Sequence, residues 1–158
     1  MANVLRWRYG ATNPVMMPVD SAQVIEIGDL VWQNTDDVRP ASASTYAGGL
    51  ATSQEALVDN FLGVAAQASA SGDTAEIRVD TTGTFQFICA SSTAEVGDLM
   101  GAADNTTALA DQTVIEVEDV ARAIGRCDKR NAAAATSVYV RIESTVMTGG
   151  AQNEEASA

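Results

Sequence analysis

One phrase occurs twice in this chain, and it constrains the fold more than any other feature. Val24-Ile25-Glu26-Ile27-Gly28-Asp29-Leu30-Val31 returns as Thr93-Ala94-Glu95-Val96-Gly97-Asp98-Leu99-Met100. Apolar, strand-like runs precede both copies, Val15 to Val19 and then Phe85 to Cys89. A second shared phrase follows each: Phe61-Leu62-Gly63-Val64-Ala65 and Ala123-Ile124-Gly125-Arg126-Cys127. Each half then closes on an alternating run, Glu76 to Asp80 and Val138 to Glu143. A unit of roughly 65 to 70 residues, repeated once, implies two halves that share one core. The expected fold is mostly all-β: a pseudo-twofold β-barrel from two Gly-Asp half-repeats, one short helix and an extended N-terminal arm.

The punctuation of the chain divides it further. Residues 1–13 read as the arm, 14–148 as one barrel domain with half-repeats at about 14–80 and 84–147, and 149–158 as a flexible acidic tail. In the arm Leu5, Trp7 and Tyr9 alternate with Arg6 and Arg8, a two-residue period with one apolar-aromatic and one cationic face. Such a segment suits either the first strand of the barrel or an edge strand lying on another protein. Pro18 puts the run Val15 to Val19 at a sheet edge or a bulge. Ser53 to Asn60 reads as the helix, with Ser53 as N-cap and Glu55 in its first turn. Residues 74–80 and 84–90 read as a hairpin over Thr81-Thr82-Gly83, and 137–147 as the longest strand. Asp128 to Ala135 reads as a loop. The first half is longer than the second between the two shared phrases, by about the size of the helix.

Composition narrows the chemistry. At 158 residues the chain is long enough for a real core. Nine basic against 21 acidic residues give a net charge of −12, with no histidine. Phosphate neutralisation needs clustered Lys and Arg, so no nucleic-acid partner is expected, and anionic membrane surfaces are disfavoured for the same reason. Without histidine, Ser-His-Asp and Cys-His catalysis are excluded. Met1 to Gly10 lacks an apolar secretory stretch and no window reaches transmembrane length, so synthesis in a cytoplasm is expected. Cys89 and Cys127 have no metal-ligand spacing. Cys89, in phase with Phe85 and Phe87, reads as a small buried hydrophobe. A bridge between the two cysteines requires that the halves bring their strands together.

In the Gly-Asp phrase, Gly28 and Gly97 supply a turn conformation that other residues resist, and Asp29 and Asp98 bond nearby amides to fix it. Leu30 and Leu99 then start strands that face the core. The sharper alternative is a symmetric carboxylate pair of the aspartic-protease kind. Those sites need a Thr-Gly or Ser-Gly after each Asp, whereas Leu follows here. No catalytic, cofactor-binding or metal-ligating set is therefore expected, and the protein is not expected to be an enzyme. Asp36-Asp37 and Asp104-Asn105 fit no calcium-loop spacing. Arg122, Arg126, Lys129 and Arg130 form the one internal basic cluster, either a solvated loop or a contact for an acidic partner.

The order of phrases, from Ile27-Gly28-Asp29-Leu30-Val31 through Leu62-Gly63-Val64-Ala65 and Thr82-Gly83-Thr84-Phe85 to Val96-Gly97-Asp98-Leu99, resembles the small capsid decoration (cement) proteins of tailed-phage heads. The Gly-Asp phrase alone is also similar to the corresponding box of cradle-loop barrels. The first resemblance spans roughly residues 15–147. It implies a compact β-barrel on the outside of an assembled head, often trimeric, with the major capsid protein and neighbouring copies as partners and no catalytic residues. Leu5, Arg6, Trp7, Arg8 and Tyr9 are then the candidate contact residues, because buried aromatics and Arg dominate interface energy. The competing expectation is a receptor- or glycan-binding module on a virion or fibre, which calls for exposed aromatics in a loop pocket; Tyr46 is the one loop aromatic that the sequence offers.

Overall fold

In a computed structural model, residues 7–151 are described. Leu5, Arg6 and most of the predicted tail lie outside them. The chain runs β1 (Trp7–Tyr9), β2 (Val15–Met17), β3 (Leu30–Asn34), β4 (Asp37–Pro40), α1 (Leu50–Asp59), β5 (Phe61–Ala65), β6 (Ile77–Asp80), β7 (Thr82–Ala94), β8 (Leu99–Asp104), β9 (Leu109–Glu116), β10 (Gly125–Cys127), β11 (Asn131–Glu143) and α2 (Thr145–Thr148).

The mostly-β, twofold reading holds, and each half-repeat builds its own five-stranded unit. The N-terminal sheet has the order β2-β6-β5-β3-β4, and the C-terminal one β7-β11-β10-β8-β9 with β1 added outside β7. These are the same order, strand for strand. The registers agree residue for residue. Val15 opposite Val79 answers to Phe85 opposite Val140. Leu30 opposite Val64 answers to Leu99 opposite Arg126, and Val31 opposite Pro40 to Met100 opposite Glu116. The C-terminal sheet closes into a barrel through parallel pairing of β7 with β9, Cys89 opposite Val114. At the matching place the N-terminal sheet has a single parallel bridge, Val19 to Val38.

The cores repeat as well. Val19, Ile25, Val31, Val38, Leu62, Ala65, Ile77 and Val79 pack inside the N-terminal unit. Their counterparts Cys89, Ala94, Met100, Val114, Ile124, Cys127, Val138 and Val140 belong to the larger cluster, which extends through Leu30, Leu57, Phe61 and Val64 into the first unit. The halves are thus joined by one continuous apolar cluster. The cysteines stand where the first unit has Val19 and Ala65, both buried and both free thiols; burial pushes the Cys127 thiol up.

The helix insertion is real but begins earlier than the sequence suggests. Between β4 and β5 stands α1, where the second unit has only a 3-10 turn, Val120–Arg122, and the two pack together. Gly49, not Ser53, occupies the N-cap, at φ 93°. Ser53 lies inside the helix and donates its hydroxyl back to Gly49 O at 2.7 Å.

Three expected elements are corrected. Residues 74–80 and 84–90 make no hairpin, because β6 and β7 belong to different sheets. The Thr81-Thr82-Gly83 segment is a crossing, held by Thr81 N and Thr82 N donating to Thr12 O. The predicted loop at 128–135 is largely strand, since β11 starts at Asn131 opposite Ala94. The same strand stops at Glu143, where Ser144 caps α2 by accepting the Met147 N–H at 3.1 Å and Gly149 ends it at φ 87°.

Candidate functional site

Two features are built from residues singled out in the sequence: the paired Gly-Asp turns and the arm. In both turns the glycine has positive φ, 100° at Gly28 and 96° at Gly97, which a side chain resists. Asp29 Oδ2 accepts the Glu26 N–H at 2.9 Å, and Asp98 Oδ2 accepts the Glu95 N–H at 2.8 Å. Gly28 N donates to Ala65 O and Ala65 N to Asp29 O, and Gly97 and Cys127 repeat both bonds with Cys127 O and Asp98 O. Each carboxylate is therefore engaged by its own turn rather than paired with the other.

Their surroundings differ. Asp29 is buried, and its Oδ1 accepts from the Gln112 amide on β9 at 2.9 Å. Burial lifts its carboxyl to about 6, against the pull of the Glu26 N–H and the Gln112 amide. Leu30 is buried at the junction of the units, whereas Leu99 is half-buried against a small cluster of Val117, Ala123 and Ala151. Beside the second turn, Val96, Gly97, Arg126, Asp128 and Arg141 rim a cleft of about 290 Å³. Arg126 donates to Gly97 O at 3.1 Å.

The arm residues Trp7, Arg8 and Tyr9 form β1, which lies antiparallel on the start of β7, Trp7 opposite Phe85 and Tyr9 opposite Thr84. All three are exposed, Trp7 by 47% and Tyr9 by 43%. Behind them stands Tyr139 of β11. The Arg8 guanidinium lies 5.7 Å from its ring centroid and the Lys129 ammonium 5.2 Å, while the Tyr9 ring packs at 6.3 Å. Arg8 also donates to Gln86 Oε1. Cations over an aromatic face attract its quadrupole and hold the patch in place.

Asp128 organises this patch from below. It accepts from Thr84 Oγ1 at 2.6 Å and from Arg141 Nη2 at 2.9 Å. Burial pushes its carboxyl up, but the bonds from Thr84, Tyr9 and Arg141 outweigh that and hold it below its usual range. Burial and the Asp128 contact raise the Tyr9 hydroxyl. Sequence reasoning missed Tyr139 and Asp128. The signals were an outward tyrosine on the clearest strand and an acid directly before Lys129-Arg130. The basic cluster is divided among separate tasks: Lys129 on Tyr139, Arg130 paired with Glu95 at 2.6 Å, and Arg126 at the second turn. A groove of about 380 Å³ lies on the other side of Trp7, lined by Thr12, Gln67, Arg78 and Asp80.

The fold and site together describe a tandem pair of small β units with matched Gly-Asp turns and an aromatic-cationic edge strand. No known family and no curated protein matches the sequence. Among solved structures the chain is similar to the N base of the head fibre gp8.5 of bacteriophage phi29. The two share 17% identity and a TM-score of 0.46 over 82% of this chain and 94% of that one. A likeness of that degree carries no functional weight by itself.

Proposed function

We propose that this protein is a structural component of a tailed-phage virion, which binds the outer surface of the capsid and cements contacts between capsomers. The observation that carries the reading is the patch of exposed Trp7, Arg8, Tyr9 and Lys129 gathered around the half-buried Tyr139, on a chain of net charge −12. Aromatics and arginine are the residues that dominate interface energies. The acidic remainder keeps the protein soluble and turns away indiscriminate partners. On a lattice of identical sites modest single contacts suffice, because neighbouring copies raise the effective concentration. The partners in this reading are the major capsid protein and sister copies arranged as a homotrimer, on the capsid exterior after synthesis in the host cytoplasm.

The test is co-sedimentation with undecorated heads. Removal of residues 1–10 is expected to leave both sheets folded, since β1 adds only two paired positions to β7, and to abolish binding. Trp7→Ala with Tyr9→Ala removes two anchors worth about 2 kcal/mol each, weakening binding by roughly three orders of magnitude. Full occupancy by either variant refutes the arm as anchor.

A second reading, a receptor- or glycan-binding module, is favoured by the groove beside Trp7. There an exposed indole stands next to the polar side chains of Gln67, Arg78 and Asp80. Saturable binding to cell-surface glycans that is lost in Trp7→Ala, with no binding to heads, selects this reading over cementing.

A further inference from the structure

The two units do not fill their cores alike. In the C-terminal unit the buried residues Cys89, Ala94, Met100, Val114 and Val138 line a pocket of about 230 Å³. Their counterparts Val19, Ile25, Val31, Val38 and Ile77 pack against one another in one cluster. The largest difference is Ile25, which is buried, against Ala94, whose side chain is three carbons smaller. Cys89 and Val138 are each one atom smaller than Val19 and Ile77, and Met100 alone is larger than its counterpart. The entrance differs too. In the first unit Arg39 of β4 reaches Asp20, just beyond β2, at 2.6 Å, and this ion pair ties the two edges together past the Val19–Val38 bridge. The counterparts of Asp20 and Arg39 are Ala90 and Ile115, which carry no charge to pair. Pairing of β7 with β9 ends at Cys89 and Val114. Beyond it the pocket opens between the two strands, beside exposed Ala90, Ser92, Ile115 and Glu116.

We propose that this pocket is a binding site for one small uncharged aliphatic molecule, which supplies the apolar volume that Ile25 supplies in the first unit. The walls set the chemistry. Their polar groups are already engaged: the Cys89 thiol donates to Ala135 O at 3.5 Å, and Ser92 Oγ donates to that sulfur at 3.9 Å. A polar ligand group buried here would go unmatched, a cost that apolar atoms do not carry. Among the described residues no Lys or Arg lines the pocket, while Glu116 stands at its mouth on a chain of net charge −12. An anion is therefore repelled. The size suits such a guest, since an apolar cavity of about 150 Å³ is enough to hold benzene. Removal of the guest's apolar surface from water drives the binding. None of the lining residues belongs to the patch around Tyr139, so the site stands independently of the cementing role.

Titration of the purified full chain with n-hexanol, followed by NMR at the Met100 methyl, tests it. The wild type is expected to show a saturable shift. Hexanoate, of the same length but anionic, is expected to bind roughly tenfold more weakly or less well still. Ala94→Ile restores the side chain of the first unit. It is expected to weaken hexanol binding roughly tenfold and to raise the Tm, as filling a cavity does. Val138→Ile copies Ile77 on another wall with one added methylene, a smaller change that leaves β7 untouched, and it too is expected to weaken binding. A wild type whose Met100 methyl shows no saturable shift overturns the proposal. So does hexanoate that binds as tightly as hexanol, or hexanol binding that is undiminished in either filled variant that melts at or above the wild-type temperature.

Discussion

Replacing Gly125 with alanine is expected to destabilise the protein by about 3 kcal/mol or more, lowering its Tm by roughly 10 °C. A Cβ built on Gly125 would stand 2.1 Å from the carbonyl oxygen of Arg141 and 2.9 Å from the Ile142 Cα. Both neighbours are backbone of the adjoining strand, so no rotamer change relieves the clash and β10 must move from β11. Gly63 repeats the situation, with its would-be Cβ 2.0 Å from Asp80 O, and Gly63→Ala is expected to behave alike. The contrast is Gly97→Ala. Nothing lies within 4 Å of a Cβ there, and only the positive φ of 96° resists it, at about 1 to 2 kcal/mol. Thermal unfolding of the three variants by circular dichroism checks the order. A loss at Gly125 no larger than that at Gly97 would refute the close approach of β10 and β11 as the reason the second shared phrase carries a glycine.

That second phrase shows what the sequence could and could not convey. Two Gly-centred phrases in the same order announce a duplication, and the Gly-Asp turns, the extra helix of the first half and the buried cysteines follow from the residues themselves. The pairing of strands does not. A Thr-Gly turn between two adjacent runs reads as a hairpin, because sequence proximity is the strongest local signal of pairing. Here Thr81 is buried and its N–H is taken by Thr12 O, so the chain leaves one sheet and enters the other. The start of β11 was hidden for another reason: Ala132 to Ala135 have no alternation, and the strand is set by β7 across from it. Ser53 misled because a serine before an acid looks like a cap, although the chain had already turned into helix at Gly49.

The site was legible in the same uneven way. Alternation marked Trp7 and Tyr9 as one face and Arg8 as the other, which describes an isolated strand. In the fold, Tyr139 and Asp128 arrive from β11 and the loop before it and gather Arg8 and Tyr9 to one patch. Long-range convergence of that kind leaves no period in the sequence. The two aspartates are the opposite case: identical phrases gave identical turns, and only the neighbouring unit makes their electrostatics differ.

That difference predicts an unusual acid response. The Asp29 carboxyl is raised from 3.8 to about 6 by burial, so the folded state prefers it protonated. Its contribution is fully present below about 4, the value of the unfolded chain, and is lost as the pH rises through about 6. A shift of this size corresponds to roughly 3 kcal/mol. Asp80 and Asp111 are raised as well, burial being the main cause for both, and protonation also relieves the self-repulsion of a chain at −12. Asp128, held low by Thr84, Tyr9 and Arg141, acts in the other direction, but at lower pH. Stability is therefore expected to rise as the pH falls from 7 toward 5, where many proteins begin to weaken. Asp29→Asn is expected to remove the largest part of that slope. The amide keeps an oxygen for the Glu26 N–H, and Gln112 can turn its own oxygen toward the new amino group. The measurement is urea unfolding at several pH values for both proteins. An unchanged slope in Asp29→Asn would place the response in the other carboxylates and detach it from the covered turn.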